Sequence, residues 1–312
     1  MADRKQFTLV FFTKQIQSPD VLSTMLRAFL FLALVASPAF AADNALRNQV
    51  DALFKQRQWA EAQSLLEKVT VAEPTNAESW HLLGQAYLNA GDAEKATGLL
   101  EKATSLDSTN SEYQRILGDA YGLSALRAGI FSKLGFAKKC KAAYDKSVEL
   151  DPANIKARWS VMEFCRQAPG FIGGGMGQAY VQAEAIRKLD PAQGRVALAT
   201  LYVADKKIPE AFALFNEALR SNPDDYATLY QTGRLAAMSG QQLELGLTSL
   251  RKCLTLAPAP AQPGHPPVNW RIGNILERQG DKTGARAAYE SAVAEDPKFV
   301  PAVESLRKIK EG

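Results

Sequence analysis

Histidine is almost missing from this sequence: His81 and His265 are the two in 312 residues, and only three cysteines accompany them, Cys140, Cys165 and Cys253. That scarcity removes most hydrolytic and metal-dependent chemistry. There is no His-Glu-x-x-His helix, and neither histidine has a thiol or carboxylate cluster at ligand spacing. No Gly-x-Ser-x-Gly elbow occurs, and the acidic residues are dispersed without a catalytic dyad. Excess charge of one sign is lacking as well. The formal net charge is +4, and it falls to +2 without Arg4, Lys5, Lys14, Arg27, Asp3 and Asp20 near the N-terminus. Such a balance gives no reason to expect nucleic acid or a membrane as partner. The expectation is a chain that is not an enzyme, with no metal, no cofactor and no catalytic residue.

Long apolar runs are also scarce. The one that stands out, Ala28 to Ala36, follows Met25-Leu26-Arg27 and ends at Ser37-Pro38 and Ala39-Phe40-Ala41. A short positive region, an apolar stretch and a small-x-small site form a secretory signal peptide, here Met25 to Ala41. The run is short for a bilayer span, so a retained anchor is the weaker reading and the mature chain has no stable membrane span. Residues 1–24 fit poorly before a signal and are expected to be a non-native upstream extension. The protein is therefore expected to be periplasmic or secreted. In an oxidising compartment a Cys140–Cys165 bridge is conceivable, but the odd count and alanine-like positions favour buried filler.

What the sequence does have is a period. Trp80, Leu83, Gly84, Tyr87, Gly91, Ala96, Leu100 and Ala103 form one copy, and Leu117, Gly118 and Tyr121 follow 34 residues later. With Ala77 as position 1, position 20 is small throughout: Ala62, Ala96, Cys140, Ala179, Ala211, Gly246 and Ala285. Position 24 is Leu66, Leu100, Tyr144, Ala183, Phe215, Leu250 and Tyr289, and position 27 continues the row from Val69 to Ala292. Spacing of i, i+4, i+7 is one face of a helix, and its small members permit close crossing of a partner helix. Gly84, Gly118, Ala199, Gly233 and Gly273 at position 8 serve the same approach. Pro74, Pro152, Pro191, Pro223, Pro258 and Pro297 stop the second helices.

These residues resemble the tetratricopeptide repeat (TPR), and the two inserts described below are similar to segments of secreted bacterial TPR proteins of unassigned function. The resemblance implies an all-α, right-handed α-solenoid of about seven helix-turn-helix repeats. They fall near 43–76, 77–110, 111–154, 155–191, 192–225, 226–260 and 266–299, within a solenoid spanning 42–299. The segment 300–312 is the C-terminal capping helix. It also implies protein or peptide recognition in a concave groove, by first-helix positions 5 and 9 among others. The groove candidates are His81, Gln85, Arg115, Asp119, Trp159, Glu163, Tyr230, Arg234, Trp270 and Asn274. Aromatic rings supply rigid apolar area there, and the polar groups satisfy a peptide backbone or carboxylate. A plausible setting is a scaffold for cell-envelope assembly. Two alternatives stand beside it: a glycan- or small-ligand-binding solenoid, and a non-catalytic accessory subunit of an envelope enzyme.

Two copies carry insertions. Ten residues enter between Tyr121 and Cys140, and Leu123, Leu126, Ile130 and Leu134 share a face, which predicts a lengthened first helix ending at Gly135. Here Lys133, Lys138, Lys139 and Lys141 cluster with Phe131 and Phe136; a solvated helix face with core aromatics is favoured over contact with an anionic envelope surface or acidic partner. Five residues enter a glycine-rich stretch, 168–177, read as a flexible insert in preference to an anion site, with Phe171, Ile172 and Met176 as alternative partner contacts. Residues 256–267 read as a linker with His265 in the loop.

Overall fold

The computed structural model describes residues 38–311. The upstream extension 1–24 and the signal segment as far as Ser37 lie outside the described residues, as does Gly312. Among the described residues there are 15 helices and no strand, and the fold is a helical repeat solenoid.

The chain divides into two compact units, one ending at Leu106 and one beginning at Asp107. The first holds α1 (Pro38–Lys55), α2 (Trp59–Ala72), α3 (Ala77–Asn89) and α4 (Ala93–Leu106). The second holds α5 (Ser111–Arg127), α6 (Ile130–Leu150), α7 (Ile155–Gln167), a 3-10 turn (Gly170–Ile172), α8 (Met176–Leu189), α9 (Pro191–Ala204) and α10 (Ile208–Ser221). It continues through α11 (Tyr226–Ser239), α12 (Leu243–Cys253), α13 (His265–Arg278), α14 (Lys282–Glu295) and α15 (Val300–Glu311).

Four of the first helices start at side-chain caps. Asn76, Asn110 and Asn154 accept hydrogen bonds from the backbone N–H groups of Ser79, of Glu112 and Tyr113, and of Ala157. Asp190 does the same for Ala192 and Gln193, and Pro191 takes the first turn of α9, where no N–H is needed. The position-20 residues are all buried, and so are those of position 24. Position 8 explains the glycines. A Cβ on Gly84 would lie 2.6 Å from Leu100 Cγ, and one on Gly118 would lie 2.4 Å from Tyr144 Cδ1. Gly233 and Gly273 stand equally close to Leu250 and Tyr289. In each pair the large position-24 side chain fills the space that the glycine leaves empty.

The turn inside each regular repeat has one recurrent device. Position 15 takes a positive φ at Arg57, Gly91, Lys206, Gly240 and Gly280. Only three of the five are glycine, so Arg57 and Lys206 hold a left-handed conformation that L-residues disfavour.

The two interrupted repeats abandon this turn. α5 ends at Arg127 and exits through Ala128 (φ −71, ψ 146) and Gly129 (φ −63, ψ 164). The helix expected to run to Gly135 therefore stops eight residues earlier, because two successive extended residues turn the chain. Gly135 lies inside α6. The ten-residue insertion is shared: α5 has 17 residues and α6 has 21, where α7 has 13 and α8 has 14. α7 leaves through Ala168 in the same extended conformation (ψ 144), followed by Pro169.

Three further expectations are corrected. The 168–177 stretch is a built turn: Gly175 N–H donates to Cys165 O at 2.7 Å, and Gly174 packs so tightly that a Cβ would lie 1.9 Å from Ala168 O. Phe131 is not core but 99% exposed. His265 is not in a loop; it opens α13, with Nε2 3.0 Å from Leu256 O. The cysteines are all buried and unbridged, so no Cys140–Cys165 disulfide forms.

Candidate functional site

The two departures from the period meet in the second unit. α5, α6, α7 and the 3-10 turn enclose a cleft of about 780 Å³. Its position is fixed by hydrogen bonds at the helix ends. Ser111 Oγ donates to Ser147 O at 2.9 Å, Ser147 Oγ donates to Ser111 O at 2.7 Å, and Asn154 Nδ2 donates to Ser111 Oγ at 2.8 Å. Those part-buried bonds join α5, α6 and α7.

A charged network forms one wall. Tyr144 Oη donates to Asp119 Oδ1 at 2.7 Å, and Arg115 donates to Asp119 Oδ2 at 2.8 Å and to Glu112 at 2.7 Å. Burial holds the Asp119 carboxyl above its ordinary value despite these donors. The same burial raises the Tyr144 phenol, with the Asp119 charge next in effect, and pushes the Cys140 thiol up to about 12. Neither group is available as a nucleophile near neutrality.

The rest of the lining is mainly apolar: Leu123 and Leu126 of α5, Trp159 and Phe164 of α7, Pro169, and Ile172 of the turn. Glu163 and Lys133 also line it. Glu163 Oε2 accepts from Arg166 at 2.7 Å and from Gln167 at 3.3 Å. An apolar lining with a few charged groups recognises a chain segment or ligand by burial first and orients it by polar contacts second.

Of the ten sequence candidates, this cleft gathers Asp119, Trp159 and Glu163, with Arg115 behind Asp119. Trp159 also lines a second recess of about 330 Å³ with Val196, Phe215 and Gln231. The others are elsewhere. His81 and Tyr230 are in the core, 6% and 8% exposed, because their helix face is turned toward the neighbouring helix. Tyr230 packs with Phe212, Phe215 and Leu229. Neither offers a surface to a partner. Trp270 is committed to the C-terminal helix: its Nε1 donates to Ser305 Oγ at 3.0 Å, and Phe299 meets its ring edge-on at 5.8 Å. Asn274 Oδ1 accepts from Tyr289 at 2.9 Å, and Arg234 donates to Gln231 at 3.1 Å. Gln85 is half-buried in the first unit.

Leu126, Phe164, Pro169 and Ile172 are cleft residues that the repeat register did not single out. The signal was the fourth copy, where the aromatic moves from position 4 to Trp159. The first unit has its own recess, about 680 Å³, lined by Glu67, Trp80, Tyr87 and Lys95. There the Tyr87 phenol donates to Glu67 at 2.6 Å, a bond that pushes its pKa up to about 12. Among the described residues no group of three or more His, Cys, Asp and Glu side chains is placed to hold a metal. No helix there is long and apolar enough to cross a membrane.

Family models described as tetratricopeptide repeat match residues 53–120 and 259–298. A tetratricopeptide repeat protein from Parabacteroides merdae superposes with a TM-score of 0.55 at 16% identity, covering 86% of this chain and 98% of the other. A thermophilic TPR protein from Thermus thermophilus gives 0.48 at 17% identity, covering 68% and 98%. The C-terminal part of a TPR repeat-containing protein from Cytophaga hutchinsonii gives 0.45 at 18%, covering 83% and 98%. At 16% identity the first likeness is one of fold. No curated protein sequence matches the chain.

Proposed function

Because the chain is a tetratricopeptide repeat protein, we propose that it is an exported, non-catalytic scaffold whose α5–α6–α7 cleft holds an extended apolar segment of another protein. The fold is that of protein–protein interaction scaffolds, which are in general not catalysts. One observation carries the finer reading: both insertions of the array contribute side chains to one apolar cleft of about 780 Å³. Trp159 and Phe164 offer rigid rings whose burial costs little side-chain entropy. Glu163 Oε1 takes none of the bonds that hold Oε2, so it can accept a backbone N–H or a cationic side chain of the guest. The expected guest is thus an apolar segment with a basic flank. Export rests on the Met25–Ala41 pattern, and envelope assembly is the setting that pattern suggests.

Selection of peptides from a displayed library on the purified chain tests the cleft. The selected set should be apolar with lysine or arginine nearby, and W159A should weaken binding at least tenfold while E163Q weakens it a few-fold. Peptides that bind W159A as tightly as the parent, or an oligosaccharide that displaces them, would remove this reading. N-terminal sequencing of exported material should begin at Ala42; a mature chain that keeps Phe11 and Phe12 would remove export.

A further inference from the structure

We infer that the solvent-side stripe at the start of α6 docks on an anionic lipid surface. Phe131 is 99% exposed, Leu134 is 40% exposed, and Leu126, at the end of α5 just before the break, is 76% exposed. An aromatic ring standing wholly in water has no role in holding the fold. Phe131, Leu134 and Lys138 are spaced i, i+3, i+7 and share one face of α6. Cys140, Ala143, Tyr144 and Ser147 on the opposite face are buried. The stripe is therefore not the residue of a core.

Charge says what kind of surface it meets. Between Asp119 and Asp145 there is no acidic residue, while Arg127, Lys133, Lys138, Lys139 and Lys141 lie in that interval. Lys141 is paired with Asp145, Lys139 lies over the Tyr121 ring at 5.1 Å and Lys133 borders the cleft, so Lys138 is the lysine on the stripe's own face. Apolar side chains beside a lysine, on an exposed helix face in a stretch without any acidic residue, match the boundary between lipid headgroups and acyl chains. Shape separates this surface from the cleft. Residues 131–135 are exposed in succession, so the stripe is a projection with no concavity to enclose a peptide. A projection of this kind inserts into a soft surface. Attachment is peripheral, since α6 is too polar to span. Leu126 and Lys133 also border the cleft, but Phe131, Leu134 and Lys138 do not line it, so the test is placed among those three.

The experiment places an environment-sensitive fluorophore on F131C in the full chain; the native cysteines are buried and do not compete for label. Vesicles of phosphatidylglycerol and phosphatidylcholine should shift its emission to the blue, and pure phosphatidylcholine should not. The same label on S291C, an exposed position of α14, should stay unshifted, which separates insertion of this stripe from recruitment by the apolar N-terminal run. K138E should raise the lipid concentration at half-effect roughly tenfold. Raising NaCl from about 50 to about 300 mM should act in the same direction without any substitution. The inference is overturned by no shift at position 131, by equal shifts at 131 and 291, or by an equal response to uncharged vesicles. A shift produced by polyglutamate in place of vesicles would assign the stripe to an acidic protein partner and overturn it too.

Discussion

Alanine at Gly118 and at Gly122, one turn apart on α5, should change stability in opposite directions. A Cβ at Gly118 would lie 2.4 Å from Tyr144 Cδ1 and 3.2 Å from Cγ, close to the base of the ring. The ring cannot swing clear, because its hydroxyl is held by Asp119 at 2.7 Å and the side chain is buried between α5 and α6. Overpacking of this kind costs about 1–3 kcal/mol, and the better helix propensity of alanine offsets up to ~1 kcal/mol. The net loss for G118A is then about 1–2 kcal/mol, or roughly 2–8 °C in Tm for a unit of this size. At Gly122 the nearest atom is Cys140 Sγ at 3.5 Å, an ordinary contact, so G122A keeps the propensity gain of about 0.5–1 kcal/mol. Urea unfolding followed by circular dichroism reads both. A G118A chain as stable as the parent would refute the close-crossing account of position 8, and so would a G122A chain that loses as much as G118A.

Lys206, left-handed at φ 61, should gain about 0.5–1 kcal/mol on K206G if strain there exceeds the entropy glycine adds; a loss in thermal unfolding would contradict this. W270F removes the bond to Ser305 and should cost about 1 kcal/mol, with faster hydrogen exchange in α15 as its local signature. Tyr226 is buried, its phenol pushed up to about 12 chiefly by burial, so the folded state keeps a proton that the unfolded state gives up near pH 10. Its contribution is therefore complete below pH 10 and is lost as pH rises to about 12, at up to ~1.4 kcal/mol per pH unit, and Y226F should flatten that alkaline decline in urea titrations. Native protein should show no thiol reactive toward an aromatic disulfide reagent within minutes, and reductant should leave Tm unchanged.

The repeat register was legible in the sequence because close crossing admits few residue types. Only small side chains fit at position 20, and a glycine at position 8 must face a large side chain at position 24. The break between α5 and α6 was not legible. Leu123, Leu126 and Leu134 fit a continuous helical period, and nothing in Ala128-Gly129 announces two extended residues more strongly than a glycine inside a helix does. Arg57 and Lys206 hid the left-handed turn for a related reason: the conformation is imposed by the flanking helices, not by the residue. Exposure of the groove positions was not legible, because neighbouring packing decides it. His81 and Tyr230 occupy the expected register, yet adjoining helices cover them. Trp159 occupies the same register, but the cleft beside it also needs Leu126 and Ile172, which the insertions supply next to Phe164 of α7.

Crosslink mapping with a selected peptide that carries a photoreactive diazirine tests the central claim most directly. Mass spectrometry should locate the adducts on Leu126, Trp159, Phe164 or Ile172. Adducts confined to the first unit, around Trp80 and Tyr87, or spread evenly over the chain would contradict the assignment of recognition to the interrupted repeats.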